Sequence, residues 1–511
     1  MTGAEGEAKP RGGMPKGLAV FVSCAVALWC AHVMREVQFA TPWLVSRDGY
    51  YHVQYAHQLP ERGLSRTFEA MQHSFWKDHF SDKEFLFHVW LAPWVRDEGT
   101  MIRQAKFATW LLGLAVLAAF GLALRATGVR APPLWVLVLA GAGNHFLFRL
   151  AECRAHVLSI GLFIAGVALL LRGRWVLVGA LGFIYSWSYA APHLLVGIAC
   201  VHAVALLLWD RKFEWRGAAA AAAGVFAGLL LHPYTPNSLH LWWVQNVVVL
   251  RQAWGLGGDI GLHLGEEFGS ILPRSLVMSS TAVFASLLLG VLFTVLAARA
   301  GRLSTRSFAL FLIAGTCLVL YALSARFIEY LAPAAVWFAA SVAGDLVDRE
   351  RLAAWWKERP GALTFAALAS ALLLVALQLR SLEQATAETR RTRGPVMAGA
   401  AKWVRASVPP GTNVAHLNWG DFVQLYGFDP THRYINGLDP AFMYVRDRSR
   451  VEYWENVRTG RIPLDAAEFA DVFDADVLIA TKEVPRQIRI CENALLDVLF
   501  EDEGAVVYRL R

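Results

Sequence analysis

Arg47-Asp48-Gly49-Tyr50-Tyr51-His52-Val53-Gln54-Tyr55 comes a few residues after the first long apolar run and gathers an acid, three tyrosines and a histidine at an expected membrane surface. Asp48 and His52 stand four residues apart, so on a helix they share a face, with Tyr51 and Tyr55 beside them. A carboxylate at the start of an interfacial helix can bind a cation, take a proton from an attacking hydroxyl or amine, or cap the helix. The simpler alternative is an N-cap aspartate beside a solvated histidine.

The rest of the chain is read outward from this stretch. Of 511 residues, 56% are hydrophobic and 17% charged, where a soluble domain carries about a quarter charged. That composition points to a polytopic membrane protein. The formal charge of +7 does not mark a nucleic-acid binder, because the basic residues lie at the ends of apolar runs, where membrane orientation places them. Six scattered cysteines without a CxxC pair indicate neither a zinc motif nor a disulfide framework.

Residues 1–16 read as a short polar cytoplasmic tail. Gly17 to Val33 reads as an uncleaved signal-anchor helix. Apolar runs follow at 105–124, 133–150, 157–171, 175–190, 193–209, 217–231, 276–298, 307–323, 327–346 and 362–379. The expected fold is a polytopic α-helical membrane protein of about eleven transmembrane helices. With the N-terminus cytoplasmic, the inner loops carry Arg125/Arg130, Arg172/Arg174, Arg211/Lys212/Arg216, Arg299/Arg302/Arg306 and Arg349/Arg351/Lys357/Arg359, and every one is basic. The bacterial inner (plasma) membrane is the expected location, with transmembrane domain 17–380 followed by a small extracytoplasmic α/β domain over 381–511.

Two outer loops are long. The first, 35–104, mixes Trp43, Phe75, Trp76, Phe80, Phe85, Phe87, Trp90 and Trp94 with charges, which suits helices lying in the interface. The second, 232–274, is glycine-rich over 255–269 and carries Glu266-Glu267. In the C-terminal domain, 413–417, 433–435, 477–481 and 506–510 read as strands, and 422–426, 466–473 and 494–500 as helices.

Four further clusters are expected at the outer face. Arg149, Glu152, Arg154 and His156 crowd one short turn and either bind lipid phosphate or snorkel to the interface. His232, Tyr234 and Asn237, punctuated by Pro233 and Pro236, either line a polar pocket or end a helix. Arg326 and Glu329 suit an i, i+3 ion pair, with Arg326 also a phosphate-binding candidate. Asn418-Trp419-Gly420-Asp421-Phe422 follows a strand, and Asp421 there fits a helix cap.

Asp-Gly-Tyr-Tyr-His after a signal-anchor span resembles the first acidic motif of C-type (GT-C fold) membrane glycosyltransferases, and most of all the catalytic subunits of oligosaccharyltransferases. The basic-inside body, the large first outer loop and the C-terminal domain are similar too. Asn418 to Phe422 resembles, at a distance, that family's Trp-Trp-Asp-Tyr-Gly signature. The resemblance implies a polyprenyl-phosphate- or polyprenyl-diphosphate-linked sugar donor and a protein, lipid or glycan acceptor. It implies Asp48 as the acid that binds metal or activates the acceptor. From the residues themselves, Asp48 and His52 are the catalytic candidates, and Tyr51, Arg149, Arg154, His232, Tyr234, Asn237, Arg326, Glu329, Trp419 and Asp421 the substrate-binding candidates. Glu152 sits where the family's second acidic motif lies, so Asp48 and Glu152 are candidate ligands for Mg2+ or Mn2+. The chain departs from the family here, since Arg154 replaces that motif's second acid, and metal-independent action is equally consistent. Competing readings are a lipid-linked sugar flippase, expected to carry mid-span charges, and a non-catalytic scaffold displaying the C-terminal domain.

Overall fold

A computed structural model describes residues 16–253, 277–347 and 349–511. Residues 1–15 and residues 254–274 of the second outer loop, with Glu266-Glu267, lie outside the described residues.

The apolar runs form helices because lipid offers no partner for backbone N–H and C=O groups, so each segment must satisfy its own. Among the described residues, seven helices are long and apolar enough to cross a membrane: 17–38 (within α1, Lys16–Gln38), 101–126, 193–210, 281–299, 305–323, 325–346 and 360–390. Three shorter apolar helices span His156–Leu171, Trp175–Ser188 and Arg216–Leu230. Helix Ile328–Leu346 is the hub of the bundle: every residue from Ile328 to Val342 is buried. Trp175–Ser188 and Arg216–Leu230 pack backbone to backbone through small residues. A Cβ on Gly224 would sit 1.9 Å from the Gly179 carbonyl oxygen, so that crossing requires glycine.

The run at 133–150, expected as one span, is two helices, Pro132–Ala140 and Asn144–Ala151, bent by 89°. Gly143 causes the break. Its φ of +134° suits only glycine, and a Cβ there would meet the Ser279 carbonyl oxygen at 2.4 Å. The second helix is thereby turned so that Arg149 and Glu152 enter the protein rather than lipid.

The C-terminal region holds a five-stranded sheet in the order β2-β1-β3-β5-β4, with β1 Asn413–His416, β2 Arg433–Tyr434, β3 Val477–Thr481, β4 Val498–Glu501 and β5 Ala505–Arg509. β2, β1 and β3 are parallel; β5 runs antiparallel to β3 and β4. The expected helix at 494–500 is instead a turn followed by the start of β4. Asp502 accepts the Gly504 and Ala505 amides in a tight turn, which brings Val498 and Phe500 against β5. Helix Pro360–Arg390 runs through the expected boundary at 380 without a break.

The first outer loop differs from the interfacial expectation. Residues 70–73 extend the sheet edge: Tyr434 donates its amide to the Ala70 carbonyl, and the Gln72 and His73 amides donate to Tyr434 and Ile435. Phe75, Trp76, Phe80 and Phe87 are buried, while Trp43 and Trp90 stay exposed. One apolar cluster runs from Tyr51 and Tyr55 through Phe68, Trp76 and Phe80 into Phe422, Tyr426 and Tyr434. The loop is therefore covered by the C-terminal domain, which takes the place of lipid as its apolar partner.

Candidate active site

α2, Asp48–Arg62, carries the opening stretch. Glycine at position 49 lets its first turn press on Leu44 and Cys153. That contact sets Asp48 beside the turn after helix Asn144–Ala151, where Arg154 Nη2 donates to Asp48 Oδ2 at 2.9 Å. The Asp48 side chain is 40% exposed and that of Arg154 20%, so both remain reachable.

Behind this pair lies a buried charge network. Arg149 Nη1 donates to Glu152 Oε2 at 2.7 Å, and Arg149 Nε donates to Glu329 Oε1 at 2.9 Å, with Nη2 on the same oxygen. His156 Nε2 donates to the Arg149 carbonyl at 2.8 Å and lies 3.5 Å from Glu152. Burial raises the Glu152 carboxyl pKa above its usual range, against the pull of Arg149 and Arg154. The expected Arg326–Glu329 pairing is corrected: the Glu329 carboxylate is taken by Arg149, while Arg326 donates to the Tyr189 hydroxyl at 3.2 Å. The cause is the 89° bend, which swings Arg149 onto the first turn of Ile328–Leu346.

Tyr189 also borders a cavity of about 20 Å³, room for about one water. Ser81 Oγ, His232 Nε2, Trp242 Nε1 and Gln245 Oε1 belong to its wall, and none has a hydrogen-bond partner among the described residues. Lys83 joins them. Unpaired buried polar atoms are costly, so four around one cavity mark a place built to receive polar groups. Burial pushes the His232 imidazole down to about 4, so it is neutral there.

Asp48 and His52 both lie on α2, as their i, i+4 spacing predicts, but they meet different partners. His52 Nδ1 lies 2.9 Å from His88 Nε2 and 3.7 Å from Glu84 Oε2. Tyr51 is buried against Phe422 and Tyr426. Tyr234 is buried and meets the Tyr55 hydroxyl at 3.2 Å, and Asn237 donates to the Phe80 carbonyl at 2.9 Å. These three residues hold the docked loop rather than line a groove. Asp421 is also buried. It accepts from Asn418 Nδ2 at 3.0 Å, and burial pushes its carboxyl up to about 7. Trp419 is half-buried beside it in the same turn.

Asp48 and Glu152 do not present the open oxygen set that Mg2+ or Mn2+ takes, because each faces a guanidinium, from Arg154 and Arg149.

Sequence reasoning missed Ser81, Lys83, Glu84, His88, Trp242 and Gln245. The i, i+4 spacing of Glu84 and His88 was a readable signal. It missed as well a cleft of about 540 Å³ between the far end of α2 and the C-terminal domain, with Gln58, Arg62, Thr431 and Arg433 in its wall.

By its likeness to solved structures, the chain has the fold of the C-type (GT-C) membrane glycosyltransferases, and it is an integral membrane protein. No protein-family model matches the chain, and no curated protein does. Solved structures do. The oligosaccharyltransferase of Archaeoglobus fulgidus is similar at TM-score 0.65 and 14% identity, over 91% of this chain and 70% of that one. ArnT from Cupriavidus metallidurans is similar at TM-score 0.60 and 17% identity, over 97% and 98%. The mycobacterial arabinofuranosyltransferase AftD is similar at TM-score 0.52 and 13% identity, over 98% of this chain and 40% of that one.

Proposed function

We propose that the protein is a glycosyltransferase moving a sugar or oligosaccharide from a polyprenyl-phosphate or polyprenyl-diphosphate carrier to a protein, lipid or glycan acceptor at the extracytoplasmic face. The observation that carries this reading is the exposed Asp48–Arg154 pair standing over the buried Arg149–Glu152–Glu329 network. Two neighbours in fold support the donor class: ArnT has been seen with undecaprenyl phosphate and the archaeal oligosaccharyltransferase with dolichol-phosphate. The basic loops between spans support eleven crossings with the C-terminal domain outside.

In this mechanism Asp48 orients the acceptor nucleophile and takes its proton as the new glycosidic bond forms. The bond to the carrier phosphate breaks on the opposite side of the anomeric carbon, with inversion. Arg154 and Arg326 neutralise the leaving phosphate, and the polar groups beside Tyr189 border the donor's side of the site. Catalysis is then positioning plus charge stabilisation. Arg149 holds Glu152 and Glu329, and so fixes the floor of the site.

The test follows release of the lipid carrier from radiolabelled polyprenyl-phosphate and polyprenyl-diphosphate sugars by the purified protein in vesicles. Release is expected with one carrier class, unchanged by added Mg2+ or Mn2+. Release by Asp48→Asn at the unmodified rate sinks the assignment of Asp48. Failure with both carrier classes sinks the donor.

A further inference from the structure

A second cluster lies one helical turn along α2 from Asp48. His52 comes from α2, and Glu84 and His88 from the first outer loop around helix Phe85–Leu91. One ligand atom from each of the three lies within 4.8 Å of the others, and all three residues are buried. We propose that His52, Glu84 and His88 bind one divalent transition-metal ion of zinc type, which clamps the first outer loop to α2.

Three observations carry this. The first is aim. His88 Nδ1 donates to both Asp82 oxygens, at 2.9 and 2.8 Å, which fixes the ring and leaves the Nε2 lone pair pointing at His52 Nδ1, 2.9 Å away. A carboxylate gripping the far nitrogen of an imidazole is the usual support of a metal-ligating histidine. The second is charge. Asp82 and Glu84 are both buried, and neither has a Lys or Arg ion-pair partner among the described residues. Their ion-pair partners are the two imidazoles, whose ring nitrogens face each other at 2.9 Å. A divalent ion where those nitrogens meet supplies the fixed positive charge that favours buried carboxylates.

The third is donor chemistry. Two imidazoles and one carboxylate are a zinc-type set that leaves a fourth position open, with metal–nitrogen distances of about 2.0–2.1 Å. At the observed nitrogen separation such an ion subtends ~90°, and opening the pair by a few tenths of an ångström makes the site tetrahedral. Glu84 Oε2, 3.7 Å from His52 Nδ1, lies a few tenths of an ångström outside the tetrahedral ligand separation of about 3.4 Å. The clamp joins α2, which starts at Asp48, to the segment that contributes Ser81 and Lys83 to the polar cavity.

The test is metal analysis of the full-length protein purified in detergent, then stripped with a strong chelator and titrated with Zn2+ and Co2+. About one ion per chain is expected, with the intense visible bands of four-coordinate Co2+. Glu84→Gln and His88→Gln abolish stoichiometric binding, and Asp82→Asn weakens it about 10–100-fold. Asp48→Asn, Glu152→Gln and the exposed neighbour His79→Gln retain it. Absence of stoichiometric binding in the unmodified protein overturns the proposal. So does binding that survives the Glu84→Gln/His88→Gln double substitution, or that is lost in Asp48→Asn. If the cluster variants fold poorly, X-ray absorption on the unmodified Co2+ protein decides: two imidazole nitrogens are expected, and an all-oxygen shell overturns the site. Metal content is read without activity, so its failure is separable from failure of the glycosyltransferase reading.

Discussion

Asp48 and His52 stand one turn apart on the same helix, and the protein sends them into opposite surroundings. Asp48 faces a half-open surface with one arginine on it. His52 is sealed under the first outer loop among His88, Glu84 and Phe87. Spacing along α2 puts the two side chains on one side of the helix, but what packs there changes within 6 Å of rise. The contrast separates a reactive end of the helix from a structural middle, and substitutions should split along that line.

The largest expected effect is at the reactive end. Asp48→Asn should lower the transfer rate about 10²–10⁴-fold, the usual weight of a positioned general base, with the unfolding temperature unchanged. An equal fall in both rate and unfolding temperature breaks the division.

Next is the charge network beneath it. Glu329→Gln leaves Arg149 paired with Glu152 alone, and losing the charged hydrogen bonds to Glu329 costs about 1.5–3 kcal/mol. Thermal unfolding in detergent measures that loss, and a negligible shift means water reaches Arg149.

The docked domain supplies a pH-dependent effect. The Asp421 carboxyl is pushed up to about 7 by burial, whereas an unfolded aspartate ionises near ~3.9. Between those values the native state holds more protons than the unfolded state, so stability is full below about 4 and falls as pH rises through about 7. Asp421→Asn should flatten that slope in unfolding curves taken from pH 4 to 8.

Two smaller effects sharpen the contrast. Tyr55→Phe removes a buried hydroxyl contact with Tyr234 and should cost about 1 kcal/mol with transfer retained. Arg47→Ala removes a half-exposed ion pair with Glu483 at 2.7 Å and should cost about 0–1 kcal/mol. A large loss of transfer in either variant would mean that domain docking itself positions Asp48.

How much of this was legible follows from the range of each interaction. The apolar runs showed where helices form, since a segment facing lipid must be apolar along its own length. The exception at 133–150 was Gly143, whose close approach to Ser279 is a contact between distant residues. Arg149 was readable as a charge in a turn. Its partner Glu329 was not, because a residue 180 positions away is chosen by helix packing. Val498 to Phe500 reads as helix in the sequence because the strand exists only by pairing with β5. Tyr51, Tyr234 and Asn237 looked available for substrate, as polar aromatic and amide groups do, until the sheet closed over them.

By itself, the sequence determined that the chain is a membrane-embedded helical bundle with an acid at the start of α2, because hydropathy and charge act locally against lipid and water. Tertiary structure alone decided that Asp48 answers to Arg154 while His52 answers to Glu84 and His88. Those partnerships arise when the bend at Gly143 and the docking of the C-terminal sheet bring distant polar groups together away from water, where each must find a partner.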